Sequence, residues 1–192
     1  MRMPYIPPGF LPQLTKVKTV HLKENLLSQF PQELASVPTL EYVSLESNQI
    51  SFVSEEVLDH FTTKVPTLSG INLNGNQLTE VSEFFTRFQN LRSLELHDNR
   101  ISKLPDLSGF SELTVLDIGG NALSAIPDEV IGMQKLERLN VAASNIGSLP
   151  EDICRLPCLV SLDVSQNNIQ TFPAVFASLT HLVELDISNN KL

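Results

Sequence analysis

The stretch Leu91–Ile101, which reads LRSLELHDNRI, sets the pattern of the whole chain. It follows the spacing LxxLxLxxNxL, and related segments begin at residues 17, 40, 68, 91, 113, 136, 159 and 182. Successive starts are 23, 28, 23, 22, 23, 23 and 23 residues apart. Segments in so regular a register predict a repeat protein, in which each repeat stacks on the next. Positions 1 to 11 below are counted from the first residue of each segment.

The centre of each segment alternates between apolar and polar residues, as in Leu94-Glu95-Leu96. A strand here buries the two leucines on one face and turns Glu95 to the other. Because the chain returns to the next segment only after about a dozen residues, the strands are expected to lie parallel, about 4.8 Å apart.

Position 9 is asparagine in every repeat except the sixth, where Ser144 replaces it. An amide side chain both donates and accepts, so it can satisfy backbone groups that stacking would bury. We therefore predict an internal ladder of asparagines. A serine hydroxyl has a single donor, which predicts a weaker ladder, or one assisted by water, at Ser144.

The second half of the repeat also has a pattern, with an apolar residue and proline followed by apolar residues, as in Leu149-Pro150 and Ile153. These residues are expected to point inward from short helical turns. The 28-residue second repeat differs, because Ser54 followed by acidic residues resembles a helix N-cap. A true α-helix is predicted there, with Val57, Leu58 and Phe61 on its apolar face.

These residues resemble the leucine-rich repeat family over essentially the whole chain. The consensus with a following LPxxI, as in Leu149–Ile153, is similar to the 23-residue cytoplasmic subclass of Scribble-like and Ras-suppressor-like proteins. The 22-residue fourth repeat resembles those of phosphatase-1 regulators. The resemblance implies an α/β horseshoe solenoid, with parallel strands on the concave face, short 3₁₀ or α turns on the convex face, and partner proteins bound in the concavity.

The repeats predict a single array over residues 1–192, with a partial N-terminal repeat over 1–16 and a truncated last segment. Ile6, Phe10 and Leu14 imitate the second half of a repeat before the first full segment. Solenoids need terminal repeats with polar outer faces, and Leu185, Ile187 and Leu192 provide none, so we expect a longer chain.

Composition narrows the class of function. The net charge is −9, which disfavours nucleic acid as a partner and is compatible with a protein partner that carries a basic patch. No apolar run approaches the roughly 20 residues of a membrane span. Two cysteines and no Asn-x-Ser/Thr sequon favour a reducing compartment, and a cytoplasmic location is predicted. The oligomeric state does not follow from composition.

Binding residues are expected at positions that the repeat does not prescribe, namely 3, 5, 7 and 8 on the concave side. The candidates are Tyr42, Asn72, Asn74, Glu95, His97, Asp117, Arg138, Asn140, Asp163 and Asp186. The acidic members could receive lysine or arginine side chains, although Asp at position 5 is also ordinary for such repeats. Tyr42 has the residue type most typical of a binding hot spot. A floor of small residues, Gly119–Gly120 and Ala142–Ser144, could admit a partner closely.

The sequence gives little support for an enzymatic function. His21 and His97 lie at least two strands apart, and no serine or cysteine is placed as an activated nucleophile. No cofactor or metal site is predicted, and the chain itself is not expected to be an enzyme. The leading hypothesis is an intracellular scaffold or adaptor. The alternatives are a targeting or regulatory domain of a larger signalling enzyme (a kinase, GTPase, cyclase or phosphatase complex), or a structural assembly module.

Overall fold

The computed structural model describes residues 2–7 and 9–192, and its framework is one parallel sheet. Its eight strands follow chain order, and each pairs in the same register with the next, so that Thr19 lies beside Tyr42 and Tyr42 beside Gly70. The strands are β1 Thr19–His21, β2 Tyr42–Ser44, β3 Gly70–Asn72, β4 Ser93–Glu95, β5 Val115–Asp117, β6 Arg138–Asn140, β7 Ser161–Asp163 and β8 Glu184–Asp186. The predicted parallel strands and the α/β horseshoe solenoid are confirmed.

Short helices return the chain between strands. They are the 3₁₀ helices Leu11–Gln13, Gln32–Ser36, Glu83–Arg87, Glu151–Arg155 and Ala174–Ser178, and the α-helices α1 Glu55–Lys64 and α2 Asp128–Ile131. The core lies between them and the sheet, and the leucines at positions 1, 4 and 6 are almost all fully buried within it. Each helix therefore contributes its inward residues to a core shared with both neighbouring repeats.

Helix α1 is the predicted helix of the long second repeat. Ser54 caps it, since its side chain accepts a hydrogen bond from the Val57 amide at 3.3 Å. Leu58 and Phe61 are fully buried and Val57 partly so, which confirms the predicted apolar face. The extra residues of this repeat thus extend the core on the convex side.

The N-terminal segment differs from its prediction in one residue. Phe10 was expected to point inward, but it is 61% exposed, whereas Leu11 is 4% exposed and occupies the core. The 3₁₀ helix begins at Leu11, so the turn presents that residue to the interior. The extra residue in this half-repeat shifts the inward position by one.

The asparagine ladder is present as predicted. Asn76 shows the arrangement, since its Nδ2 donates to the carbonyl of Leu45 in the preceding repeat and to that of Leu73 in its own, both at 3.0 Å. Its Oδ1 accepts from the Ile50 amide at 3.0 Å. Each asparagine therefore joins two repeats through backbone groups that are shielded from water.

Ser144 weakens this ladder, as its single donor predicted. Its hydroxyl donates only to the carbonyl of Ala142, at 3.0 Å. Asn167 compensates in part, because its Oδ1 accepts from both the Ser144 and the Ile146 amides. Ser124, whose amide donates to the Ser144 carbonyl at 3.1 Å, and Asn145 adopt left-handed φ angles of 60° and 58°. Outside position 8, which is left-handed in every repeat, no other non-glycine residue of the described chain does so.

Candidate protein-binding surface

The ten candidate residues all lie on or directly after strands, along one side of the sheet. Residues at position 4, such as Leu94 and Leu116, are buried beneath it, and those at positions 3 and 5 face the concave side. Asn74 and His97 follow β3 and β4 at position 7. The predicted set therefore forms one continuous band across β2 to β8.

Side chains at position 5 also have a structural role, which the sequence pattern did not predict. A side-chain oxygen here accepts the backbone amide two residues later and closes a turn at the end of the strand. The oxygens of Asn72, Asp117, Asn140, Asp163 and Asp186 all do so, at 2.9 to 3.1 Å. Aspartate and asparagine are interchangeable for this bond, so the negative charge of the aspartates is not needed for the turn.

The aspartates keep part of their binding capacity, because the turn occupies one carboxylate oxygen and leaves the other available. The hydrogen bonds from Ser188 hold the pKa of Asp186 below its ordinary value, so this group is charged at neutral pH. Together with Glu95 and Glu184, the aspartates Asp117, Asp163 and Asp186 form what we call the acidic band.

Glu95 has a different environment, since it does not close a turn. Its carboxylate accepts from Asn72 Nδ2 at 2.7 Å, from Asn74 Nδ2 at 3.4 Å and from the Ser93 hydroxyl at 3.3 Å. The His97 amide, which a position 5 side chain bonds in other repeats, donates instead to Asn74 Oδ1 at 2.7 Å. Glu95 and the two asparagines therefore form one network that joins the third and fourth repeats.

Burial raises the pKa of the Glu95 carboxyl, and the charges of Asp117 and Glu46 raise it further, against the opposing hydrogen bond from Ser93. Folding therefore penalises the ionised form of this side chain. Replacing Glu95 by glutamine, whose oxygen can still accept from Asn72 and whose NH2 can donate to the Ser93 hydroxyl, is expected to raise the melting temperature near pH 7.

The difference between wild type and E95Q should shrink as the pH falls through the folded-state pKa, and vanish below the ordinary glutamate value of ~4.3. Thermal denaturation of both proteins across this range measures it. A difference that stays constant with pH would show that ionisation of Glu95 carries no such penalty.

Tyr42 lies across the neighbouring strand rather than standing free. A Cβ atom built on Gly70 would lie 2.5 Å from Tyr42 Cδ2, so the ring occupies the space that a side chain at position 70 would need. The ring centroid is 5.9 Å from that of His21. Burial raises the pKa of the Tyr42 hydroxyl, which stays neutral and able to donate. Glycine beside tyrosine at equivalent positions was the sequence signal for this contact.

His97 sits between two carboxylates, with Nδ1 3.3 Å from Asp117 Oδ1 and Nε2 3.4 Å from Asp98 Oδ1. A Cβ atom on Gly119 would approach His97 Nδ1 to 2.7 Å and Asn140 Oδ1 to 3.0 Å. The imidazole and the amide therefore cover this glycine.

Three of the five residues of the small-residue floor are therefore closed to a partner, contrary to the prediction, whereas Gly120 and Ala143 remain partly exposed. Gly119 is buried under its neighbours, and Ala142 and Ser144 are 4% and 0% exposed. At Gly119 and Gly120 a small residue is needed because side chains of the protein itself, those of His97, Asn140 and Asp98, occupy the space that a Cβ atom would take.

Charge is unevenly distributed along the concave side. Near β1 and β2, Lys23 pairs with Glu46 at 2.8 Å and neutralises it. Further along, Arg138 lies in a shallow hollow of about 310 Å³ that Glu95, Asp117 and Asp163 also line. Arg138 is exposed and has no ion pair among residues 2–7 and 9–192. The band from β4 to β8 thus presents net negative charge to a partner.

The described residues contain no group of three or more side chains that could hold a metal ion. None of their helices is long and apolar enough to cross a membrane.

Comparison with known proteins places these features in context. A family model described as a leucine-rich repeat region matches residues 90–192, more than half of the chain. The chain is similar to the probable inactive serine/threonine-protein kinase roco10 of Dictyostelium discoideum, at 28% identity over 64% of this chain and 4% of that protein. The chain is also similar to the Arabidopsis thaliana homologue of the protein phosphatase 1 regulatory inhibitor subunit PPP1R7. The identity is 28%, and the alignment covers 59% of this chain and 30% of that protein.

Among solved structures, a leucine-rich repeat protein of Leptospira interrogans is similar, with a TM-score of 0.87 and 26% identity. The superposition covers 97% of this chain and 47% of that one. The chain thus spans less than half of this structure and less than a third of either curated relative.

Proposed function

The chain belongs to the leucine-rich repeat family, and we propose that it is a non-catalytic intracellular module that binds a basic protein surface through its concave side. The coarse function, a protein-interaction module, follows from the fold and from the similarity to a phosphatase regulatory subunit. The observation that carries the finer proposal is the acidic band, whose carboxylates line the concave side with the cation of Arg138 among them.

The physical basis is electrostatic. The carboxylates of the band that water can reach, such as those of Asp163 and Asp186, attract lysine and arginine side chains and orient an approaching partner. Tyr42, at the less acidic end of the same side, adds a rigid aromatic surface of the kind that supplies binding energy. A partner with basic residues beside an apolar patch fits both parts.

The test uses the interchangeability of aspartate and asparagine at position 5. The triple variant D117N/D163N/D186N removes three charges and keeps the turn bonds, so its stability should stay within about 0.5 kcal/mol of wild type. Partner recovery from extracts of the source cells, measured by quantitative mass spectrometry, should fall about tenfold, equivalent to 1.4 kcal/mol.

A matched control, E80Q/E129Q/E151Q, removes the same charge from exposed positions away from the acidic band. Proteins lost with the triple aspartate variant but kept by this control are the partners of the concave side. Equal recovery with wild type and both variants would contradict the proposed surface.

A second candidate is a targeting or regulatory segment of a larger signalling protein. It is favoured by the two curated relatives, a probable inactive kinase and a phosphatase regulatory subunit, of which this chain matches only a part. Mapping the peptides of the polypeptide that carries these residues in cells separates the two candidates. Flanking catalytic or regulatory domains would support the second, and their absence would remove it.

A further inference from the structure

The negative charge of Glu95 is not required by the fold. Each other strand from β3 to β8 carries at position 5 a side chain that closes a turn, whereas Glu95 closes none. The groups that bond to its carboxylate, on Asn72, Asn74 and Ser93, are all neutral. None of the ion pairs within residues 2–7 and 9–192 includes Glu95. An uncharged glutamine could therefore hold the same place.

The charge also has a cost in the free protein. Burial is the main cause that raises the pKa of the Glu95 carboxyl, and the charges of Asp117 and Glu46 raise it further. A cation beside the carboxylate would offset this penalty, because an opposite charge favours the ionised form. A charged group that is costly in the free protein and unused by its fold is typical of a binding site.

An aromatic ring borders the same space. Tyr42, Gly70 and Ser93 hold position 3 of three successive strands and pair in register. Because Gly70 has no side chain, the Cδ2–Cε2 edge of the Tyr42 ring occupies the place of one, at 2.5 and 3.1 Å from the position of a Cβ atom. The ring makes this contact with its edge and is only partly buried, so a face of it remains open on the concave side.

The Glu95 carboxylate is directed toward this ring. Its Oε1 lies 3.3 Å from the hydroxyl of Ser93, in the row of position 3 side chains to which Tyr42 belongs. Its Oε2 is held by Asn72 Nδ2, from the strand between them, at 2.7 Å. After burial, the Glu95 charge is the next cause that raises the pKa of the Tyr42 hydroxyl. The ring and the carboxylate therefore border one space above Gly70.

The convex side of the chain contains an arginine held by the same two kinds of group. The Arg87 guanidinium lies over the Phe84 ring, with Cζ 3.8 Å from the ring centroid. Its Nη1 is 2.8 Å from Asp59 Oδ1, in the preceding repeat. An aromatic face and a carboxylate thus hold one guanidinium between two repeats. On the concave side, Tyr42 and Glu95 provide these groups, and no cation of the described residues completes the arrangement.

Arginine fits this space better than lysine does. The planar guanidinium stacks on aromatic faces and donates hydrogen bonds within its own plane. It is also more weakly hydrated than an ammonium group. This difference matters beside Glu95, because a half-buried carboxylate leaves little room for the water that a lysine would retain.

We propose that the open face of Tyr42 and Oε1 of Glu95 form a subsite for one arginine side chain of a partner protein. The guanidinium stacks on the ring and donates to Oε1, while the aliphatic part of the side chain lies along the sheet toward the partner. The inference rests on the proposed function, since the arginine belongs to a basic partner on the concave side, and it names the residue that is bound between β2 and β4.

An NMR titration of the 192-residue chain with short peptides tests the subsite. The chain has two tyrosines, and Tyr5 lines a different hollow, beside Phe30 and Pro31. Isotope-labelled tyrosine therefore gives one reporter and one internal control. Acetyl-Gly-Arg-Gly-amide should shift the ring signals of Tyr42 and leave those of Tyr5 in place. Acetyl-Gly-Lys-Gly-amide should bind about threefold more weakly.

E95Q should weaken binding of the arginine peptide about fivefold, because it removes the charge that pairs with the guanidinium. E137Q is the matched control, since Glu137 is exposed and lies outside both the acidic band and the subsite, and its binding should equal that of wild type. Y42L serves as a second variant if E95Q fails to fold. With Y42L the arginine side-chain protons of the peptide should lose the upfield shift that the ring causes. Thermal denaturation verifies the fold of each variant.

The titration contains no cellular partner, so its outcome is separate from partner recovery with D117N/D163N/D186N. Equal shifts of both tyrosines, equal affinity for the two peptides, or undiminished affinity in folded E95Q would each overturn the subsite and leave the proposed function standing. Selective shifts of Tyr42, together with full partner recovery by the triple aspartate variant, would contradict the role of the acidic band and support the subsite.

Discussion

Replacing Asn99 by alanine is expected to cost about 3–5 kcal/mol of stability and to loosen the array at its fourth repeat. Asn99 is buried, and its Nδ2 donates to the carbonyls of Leu73, Leu96 and His97 at 3.0, 2.9 and 3.3 Å. Its Oδ1 accepts from the Leu78 amide at 3.0 Å. Alanine offers none of these partners, and each buried polar group left unpaired costs about 1–3 kcal/mol.

Urea denaturation followed by far-ultraviolet circular dichroism measures this loss. N25A is the matched control, because Asn25 holds the same position but is only half-buried, so water can replace part of its bonding. N99S should fall between N99A and wild type, since Ser144 occupies the equivalent position in the sixth repeat. Equal losses for N99A and N25A would contradict the claim that burial of the amide is the source of the stability.

The repeat spacing predicted most of the fold. Leu94 and its equivalents fix which face of each strand is buried, and asparagines such as Asn99 join one repeat to the next. Since every repeat packs against its neighbours in the same way, the arrangement of one repeat extends along the chain. The N-cap at Ser54 was also predictable from the sequence, because the start of a helix depends on residues close to it in the chain.

The deviations come from small offsets that a pattern does not resolve. Leu11 replaces Phe10 in the core because the first helical turn begins one residue later than the repeat suggests. Around Ser144 the backbone also differs, with left-handed residues at 124 and 145 that the repeat pattern does not predict.

The candidate surface was predictable in position but not in detail. The strand period places Tyr42, Glu95 and Asp163 on one side, yet their contacts depend on rotamers and on side chains of neighbouring repeats. The cover of Tyr42 over Gly70 and the network around Glu95 are lateral contacts of this kind. They determine which groups remain free for a partner, and only the structure shows them.

Replacing Phe61 by alanine is expected to destabilise the protein by about 3–5 kcal/mol, the usual cost of emptying a buried aromatic site. Phe61 is fully buried in α1, and its ring meets that of Phe30 edge to face, with centroids 5.1 Å apart and planes at 87°. Phe30 belongs to the preceding repeat, so the contact also ties α1 to its neighbour. Urea denaturation of wild type and F61A measures the loss.

F52A provides a control of the same residue type within the same repeat, since Phe52 is 50% exposed and its loss should cost much less. The comparison addresses the role of the long repeat directly. Similarly mild losses for F61A and F52A would contradict a role of α1 in the core. A large loss for F61A alone would show that the additional residues of the long repeat stabilise the array through the inward face of α1.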